Sequence, residues 1–234
     1  MRRLGWVCGL AAMSWQLQAE MIVLASHHFP PYAAYDEGKE GLVADEYFRG
    51  IAVDRIRCIF AGLPQKLEIQ VMPWTRAQHA AKLGAVDGFF VSSRNEERDE
   101  FATFSSPIAE QKWQWYWLEN NPQQPDSVAF KAQAIGVFQG SNMQAWLESE
   151  GYQIQSNPVD TEHLIKQLLR GRVEVILANN LVVEQILDEW QVADKVATQV
   201  ASVRPLGVYF THEIQYAHPN LLSRFNARVE KCAN

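Results

Sequence analysis

Cysteine is scarce in this sequence, three residues in 234, and no two of them lie close enough to form a C-x-x-C clip. Metal sites built from cysteine want closer pairs, so a structural zinc site is not expected. The chain also lacks a G-x-S-x-G and an H-E-x-x-H stretch. With them go the commonest sequence marks of a serine nucleophile and of a zinc-dependent hydrolase. After residue 17 no apolar run approaches the roughly 20 residues that a bilayer-crossing helix needs. Basic residues are in the minority, 21 against 27 acids, for a net charge of −6. No basic stripe stands out, which speaks against nucleic acid as a partner. Internal repeats and low-complexity segments are absent as well. His27 and His28 are adjacent, but neighbours on a strand point to opposite faces and cannot chelate together. Neither a metal nor a cofactor is expected.

What is present begins with an export signal. Arg2 and Arg3 precede an apolar run from Leu4 to about Leu17, and Ala19 stands before Glu20. The pattern is that of a secretory signal peptide over residues 1–19. Gln16 interrupts the run, which is too short to span a bilayer. Cys8 lies inside it without the small residues that precede a lipoprotein cleavage site, so a free periplasmic protein is expected. Cleavage removes two arginines and no acid, taking the net charge from −6 to −8. It leaves Cys58 and Cys232, which an oxidising compartment favours as a disulfide over two buried thiols. The remaining length suits one large domain or two small lobes.

The most informative stretch is Met72–Pro107. Trp74, Ala77, Ala80 and Ala81 recur at helical spacing, and Gly84 sits where a left-handed residue would end the helix. Val86–Val91 reads as a buried strand. Where it stops, Ser92, Ser93, Asn95 and Arg98 bring hydroxyl, amide and guanidinium donors together, a set that suits a small anionic group such as a carboxylate. The competing reading is a solvated turn in which Arg98 pairs weakly with Glu96, Glu97 or Glu100.

The rest of the chain alternates strands and helices. Met21–Ser26 is a first strand, ended by Pro30 and Pro31, so that Tyr32 and Tyr35 fall on a loop at the strand's carboxyl end. Helical spacing runs from Asp45 to Leu63 and puts Cys58 on the apolar face; Leu67–Val71 follows as a strand. In W-Q-W-Y-W, alternation sets Trp113, Trp115 and Trp117 on one strand face, either as core or as a stacking surface. A polar, Pro-rich linker comes next. Ala134–Phe138 is then a strand, and Ser141 with Gln144 makes a capping box whose helix mouth offers N–H groups. Helix Glu162–Arg170 stops at Gly171, strand Val173–Leu177 follows, and Asn179–Asn180 cap another helix. Val196–Val203 and Leu206–Thr211 are strands around Arg204-Pro205. Pro219 opens a last helix with Leu222, Phe225, Val229 and Cys232 on one face.

This ordered set resembles family 3 of the bacterial extracellular solute-binding proteins, the type II periplasmic amino-acid-binding proteins. The residues that carry the resemblance are the G-x-x-D step at Gly84–Asp87, the T-x-x-R turn at Asn95–Arg98 with Asn for Thr, and F-S-x-P at Phe104, Ser105 and Pro107. A second G-x-x-D step ends in Glu174 instead of Asp. The P-W-x-R element at Pro73, Trp74 and Arg76 is seen in a branch of the same family.

The resemblance implies an α/β, type II periplasmic-binding-protein-like fold. Two lobes, each a mixed sheet flanked by helices, are joined by two hinge strands: residues 20–112 plus 204–234, and residues 113–203. Its last helix returns to the first lobe, which brings Cys232 to Cys58. The function implied is capture of a small polar, carboxylate-bearing solute for an ABC-type permease in the inner membrane, by a monomer that closes over its ligand. Ligand contacts carried over are Tyr32, Trp74, Arg76, Ser93, Arg98, Gly140, Ser141, Asn142 and Asn179. Asn179 stands where the family's amino-acid binders place an Asp against the ligand's ammonium. No catalytic residue is expected. The alternatives are an enzyme on the same scaffold, like the cyclohexadienyl dehydratases, and a sensing input for a membrane partner.

Overall fold

Short apolar runs become strands, amphipathic stretches become helices, and two large sheets and a small two-stranded ribbon collect the strands. A computed structural model describes residues 20–35, 41–42, 47–125 and 127–232. The expected signal peptide lies outside these residues. The chain opens with β1 (Met21–Ser26), β2 (Ala34–Tyr35), β3 (Gly41–Leu42) and β4 (Phe48–Arg49). Next come α1 (Ile51–Phe60), β5 (Lys66–Val71), α2 (Trp74–Lys82), β6 (Gly88–Ser92), α3 (Glu96–Asp99) and β7 (Ala102–Phe104). The middle of the chain holds β8 (Lys112–Leu118), β9 (Ile135–Val137), α4 (Asn142–Ser149), β10 (Ile154–Ser156) and α5 (Thr161–Leu169). It continues with β11 (Val175–Asn179), α6 (Asn180–Glu189) and β12 (Val196–Val203), before β13 (Gly207–Thr211), α7 (His212–Ala217) and α8 (Leu221–Val229).

The first sheet has the order β3-β5-β1-β6-β13-β7 and the second β10-β9-β11-β8-β12. In the first, β1 runs parallel to β5 and β6, while β13 is antiparallel to β6 and β7. In the second, β11 is parallel to β9 and antiparallel to β8, and β12 closes the edge antiparallel to β8. Every residue of β6, β11 and β13 is buried, because helices cover both faces of the central strands; hence their unbroken apolar runs. Mixed sheets of this kind bind ligands at the carboxyl ends of their strands.

Two chain segments pass between the sheets, and they hold each other. Leu206 N donates to Ala109 O at 2.9 Å, Ile108 N to Leu206 O at 2.8 Å and Arg204 N to Gln111 O at 3.0 Å. The Gln111 side chain adds a bond from Nε2 to Arg204 O at 2.8 Å. A two-stranded neck results, and it leads on one side into β8 and on the other into β13.

The two G-x-x-acid steps have the same structural work. Gly84 and Gly171 end α2 and α5 in the left-handed region, with φ of 71° and 64°. Three residues on, Asp87 Oδ2 accepts from Val23 N at 2.7 Å, and Glu174 Oε2 accepts from Ala134 N at 2.9 Å. Each acid clasps the neighbouring strand, so Asp and Glu both serve.

The sequence reading needs correction at several points. The first helix begins at Ile51, whereas spacing suggested Asp45, which lies outside the described residues. Phe48 and Arg49 pair instead with Ala34 and Tyr35. Gly50 then turns the chain at φ 132°, where a Cβ would stand 2.5 Å from Tyr32 O, so only glycine fits. Helix α7 was not anticipated; Thr211 caps it, its Oγ1 accepting from Ile214 N at 3.3 Å. Trp113, Trp115 and Trp117 do share one face of β8, and that face is core, packed with Phe130, Met143 and Leu147. Burying large apolar side chains of this kind stabilises the fold by roughly 1.5–3 kcal/mol each.

Cys58 and Cys232 are joined as a disulfide, with their Cα atoms 5.8 Å apart. Beside it α8 packs on α1, the rings of Phe60 and Phe225 lying 6.0 Å apart. No helix among the described residues is long and apolar enough to cross a membrane.

Candidate functional site

Arg98 lies at the centre of the cleft. It is buried, 5% exposed, while Glu96, Glu97 and Glu100 beside it face solvent. The solvated-turn reading therefore fails: one turn of α3 points its acids outward and its arginine in. Asn95 caps that turn, its Oδ1 accepting from Arg98 N at 3.1 Å. Asp99 is engaged by Arg94 at 3.0 Å. No carboxylate among the described residues pairs with Arg98; its partners are all neutral. Nε donates to Gln78 Oε1 at 2.9 Å, and Nη1 to Ser92 Oγ at 2.7 Å and Ser93 O at 3.1 Å. Nη2 has only a long bond, 3.4 Å to Gly140 O. The guanidinium also lies over the Trp74 ring at 5.2 Å, a favourable cation–π contact. Burial pulls its pKa down to about 10, with Tyr209 and Glu97 opposing the drop, so it remains charged at neutral pH.

The strand that delivers these partners ends under strain. Val91 has φ 61°, a left-handed conformation that a β-branched residue adopts at a cost of order 1–3 kcal/mol. It turns the chain so that the Ser92 hydroxyl and the Ser93 carbonyl both meet Arg98.

From the second sheet, Gly140 and Asn142 reach across. Gly140 O accepts from Trp74 Nε1 at 3.0 Å and Gln78 Nε2 at 3.3 Å as well as from Arg98. At φ 66°, with a Cβ position 2.7 Å from Thr75 Cγ2, this residue has to be glycine. Asn142 Nδ2 donates to Ser93 O and Ser93 Oγ, each at 2.8 Å, and to Arg94 O at 3.1 Å. Ser141 caps α4 as expected, its Oγ accepting from Gln144 N at 3.1 Å, while Gly140 N donates to Gln144 Oε1 at 2.8 Å. The Gly140 N–H is thus occupied, and it is the Gly140 carbonyl that meets the first sheet.

A cavity between the sheets is walled by His27, Phe29, Trp74, Arg98, Phe138 and Asn142, with Ser92, Ser93, Gln111, Trp113 and Ser141 among the other residues that line it. Beyond Phe138 the cleft continues outward between His28, Pro30, Val159 and Asp160. His27 is 6% exposed, and neither ring nitrogen has a hydrogen-bond partner among the described residues. Its ring is pressed between those of Trp74, 4.6 Å away, and Phe29, 4.9 Å away. Burial, reinforced by His28 and Arg98, holds its pKa down at about 3, so the imidazole is neutral.

That shift sets a pH dependence with a definite sign. Above the ordinary value of 6.5 His27 is neutral in both folded and unfolded chains and contributes nothing. Below it only the unfolded chain takes up the proton, so stability falls as pH falls, down to about pH 3. The expected slope is about 1.4 kcal/mol per pH unit, or about 2 kcal/mol between pH 6.5 and 5. Urea melts over this window are expected to show the parent losing that much more than His27→Phe. Parallel curves would reject the assignment.

Of the residues expected from sequence, Trp74, Ser93, Arg98, Ser141 and Asn142 line this cavity, and Gly140 joins them through its carbonyl. Tyr32, Arg76 and Asn179 stand outside its walls. Tyr32 is fully buried and donates from its hydroxyl to Glu110 O at 2.8 Å, in the core above the neck. Tyr32 N and Ala33 N both bond Phe29 O at 3.0 Å, a tight turn that sends Phe29 to the cleft and Tyr32 inward. Arg76 is exposed: two residues after Trp74 on a helix it points about 200° away. Asn179 caps α6, accepting from Val182 N at 3.1 Å, and its Nδ2 holds Gln111 Oε1 at 2.6 Å. It supports the wall from behind. Gln78 was missed, although it lies one helical turn after Trp74 and so shares its face.

No protein-family model matches the chain, and no curated protein matches it. Solved structures do. A histidine kinase sensor domain with similarity to periplasmic binding proteins superposes with a TM-score of 0.77 at 16% identity, over 91% of this chain and 90% of its own. An ABC uptake transporter substrate-binding protein from Streptococcus pneumoniae, with bound histidine, gives 0.74 at 14% identity over 90% and 86%. The truncated, arginine-bound ArgBP from T. maritima gives 0.72 at 16% identity over 91% and 96%. At these identities the likeness is one of architecture, and it establishes a two-lobed, periplasmic-binding-protein-like α/β fold for this chain.

Proposed function

We propose that this protein captures a small, carboxylate-bearing solute between its two lobes, residues 20–112 plus 204–234 and residues 113–203, and works from the periplasm. The observation that carries the reading is Arg98, a buried guanidinium whose partners among the described residues are all neutral. A buried charge without a counter-charge is costly, so such a site favours an anion. Gln78, Ser92 and Ser93 fix the orientation of the guanidinium and leave Nη2 least engaged, a ready anchor for one carboxylate oxygen. Trp74, Ser141 and Asn142 line the cavity around it, and Gly140 joins them through its carbonyl. Solved structures of like fold include proteins described as substrate-binding components of ABC transporters, in keeping with delivery to a permease.

A second reading shares the capture step and changes the partner. The likeness to a histidine kinase sensor domain favours a role in which closure reports the solute to a membrane protein. A thermal-shift screen over carboxylic acids, amino acids, polyamines and sugars, with product analysis of each hit, tests the capture step. Carboxylates alone are expected to raise the melting temperature, by about 5–10 °C at a hundredfold excess over the dissociation constant. A response confined to polyamines or neutral sugars would contradict the reading, and turnover of a hit would replace capture by catalysis.

A further inference from the structure

We propose that His27 and Asn142 together read an uncharged hydroxyl on the ligand, so that the site takes small hydroxycarboxylates in preference to the matching amino acids. This inference rests on Arg98 as the carboxylate anchor, and it comes from buried polar atoms of cavity-lining residues that no group among the described residues satisfies.

Both nitrogens of His27 are buried without a partner among the described residues, and the residue lines the cavity. Asn142 is 8% exposed and lines the same cavity. Its Nδ2 is committed to Ser93 and Arg94, which fixes the amide and leaves Oδ1 as a buried acceptor with no partner among the described residues. Buried groups of this kind are normally paired, and an orphan calls for a ligand atom or other explanation. A neutral imidazole supplies one donor and one acceptor, and the amide oxygen supplies a second acceptor. A hydroxyl, with one donor and two lone pairs, can answer this set: it takes the imidazole N–H and gives its own proton to an acceptor. A keto oxygen only accepts and would leave Asn142 unanswered. An ammonium brings a second positive charge into a cavity that already holds Arg98, and none of the described residues lining the cavity is acidic. Asn179 is neutral and tied to Gln111 behind the wall, so it supplies no compensation. Burying that ammonium would therefore go uncompensated.

The test is calorimetry on the parent with matched pairs: lactate and alanine, glycerate and serine, malate and aspartate, phenyllactate and phenylalanine, each as both enantiomers. At least one hydroxy acid is expected to bind, and about tenfold or more tighter than its amino partner. The binding hydroxy acid and its deoxy analogue, such as propionate for lactate, are then titrated into His27→Phe and His27→Gln. His27→Phe is expected to weaken the hydroxy acid about tenfold more than it weakens the deoxy acid, while His27→Gln, which keeps a donor and an acceptor, recovers part of that difference. An amino acid that binds as well as its hydroxy partner, or a His27→Phe that binds both acids like the parent, overturns this inference and leaves the Arg98 reading standing. Unchanged binding in Arg98→Ala overturns the anchor itself. Failure of every acid to bind overturns both.

Discussion

Replacing Arg98 by alanine is expected to weaken binding of a carboxylate by about 30-fold to several-thousand-fold, the roughly 2–5 kcal/mol lost when one partner of a desolvated, hydrogen-bonded charge pair is removed. The size of the effect follows from where the charge sits. At 5% exposure the guanidinium has little water to compete with a ligand, so its attraction for an anion is weakly screened. Its orientation is set in advance by Gln78, Ser92 and Ser93, so little further ordering is needed on binding. Arg98→Lys is expected to fall between, because an ammonium keeps the charge but cannot hold Gln78 and Ser92 on two sides of a planar fork while offering a third. Calorimetric dissociation constants for the three proteins check this. An alanine variant that binds like the parent would show that the ligand is held elsewhere.

Loss of the Cys58–Cys232 disulfide is expected to cost on the order of 5 kcal/mol, the chain-entropy value for so long a loop. The two cysteines are 174 residues apart, so the bridge closes most of the described chain into one loop. That figure is an upper bound, since the unfolded chain is more compact than the model assumes. For a protein of this size it corresponds to a melting temperature lowered by roughly 10–20 °C. The Cys58→Ser, Cys232→Ser double variant and the reduced parent are expected to melt together, well below the oxidised protein. An oxidised parent that melts with the double variant, or peptide masses that do not change with reductant, would reject the bridge as a stabilising element.

Much of the cleft could be read from the sequence because its pieces are local. The turn after β6 keeps Ser92, Ser93, Asn95 and Arg98 within seven residues, and the Ser141 cap is set by a spacing of three. The tryptophans of β8 follow from alternation alone. What was not legible depends on direction. Trp74 and Arg76 look like a pair in sequence, yet helical geometry separates them, and Gln78 is the true neighbour of Trp74. Pro30 and Pro31 announce a turn without saying which aromatic faces the cleft; the hydrogen bonds to Phe29 O decide for Phe29 over Tyr32. His27 and Phe138 become neighbours, with rings 5.9 Å apart, only when strand ends of the two sheets meet. No spacing rule reaches across 111 residues.

The central claim is that the cleft recognises the negative charge of a carboxylate. Each carboxylate that raises the melting temperature can be titrated beside its primary amide, which has nearly the same shape and no charge. With Arg98 as anchor, the amide is expected to bind at least about 30-fold more weakly than the acid, and the difference is expected to vanish in Arg98→Ala. An amide that binds the parent as tightly as its acid would contradict the account.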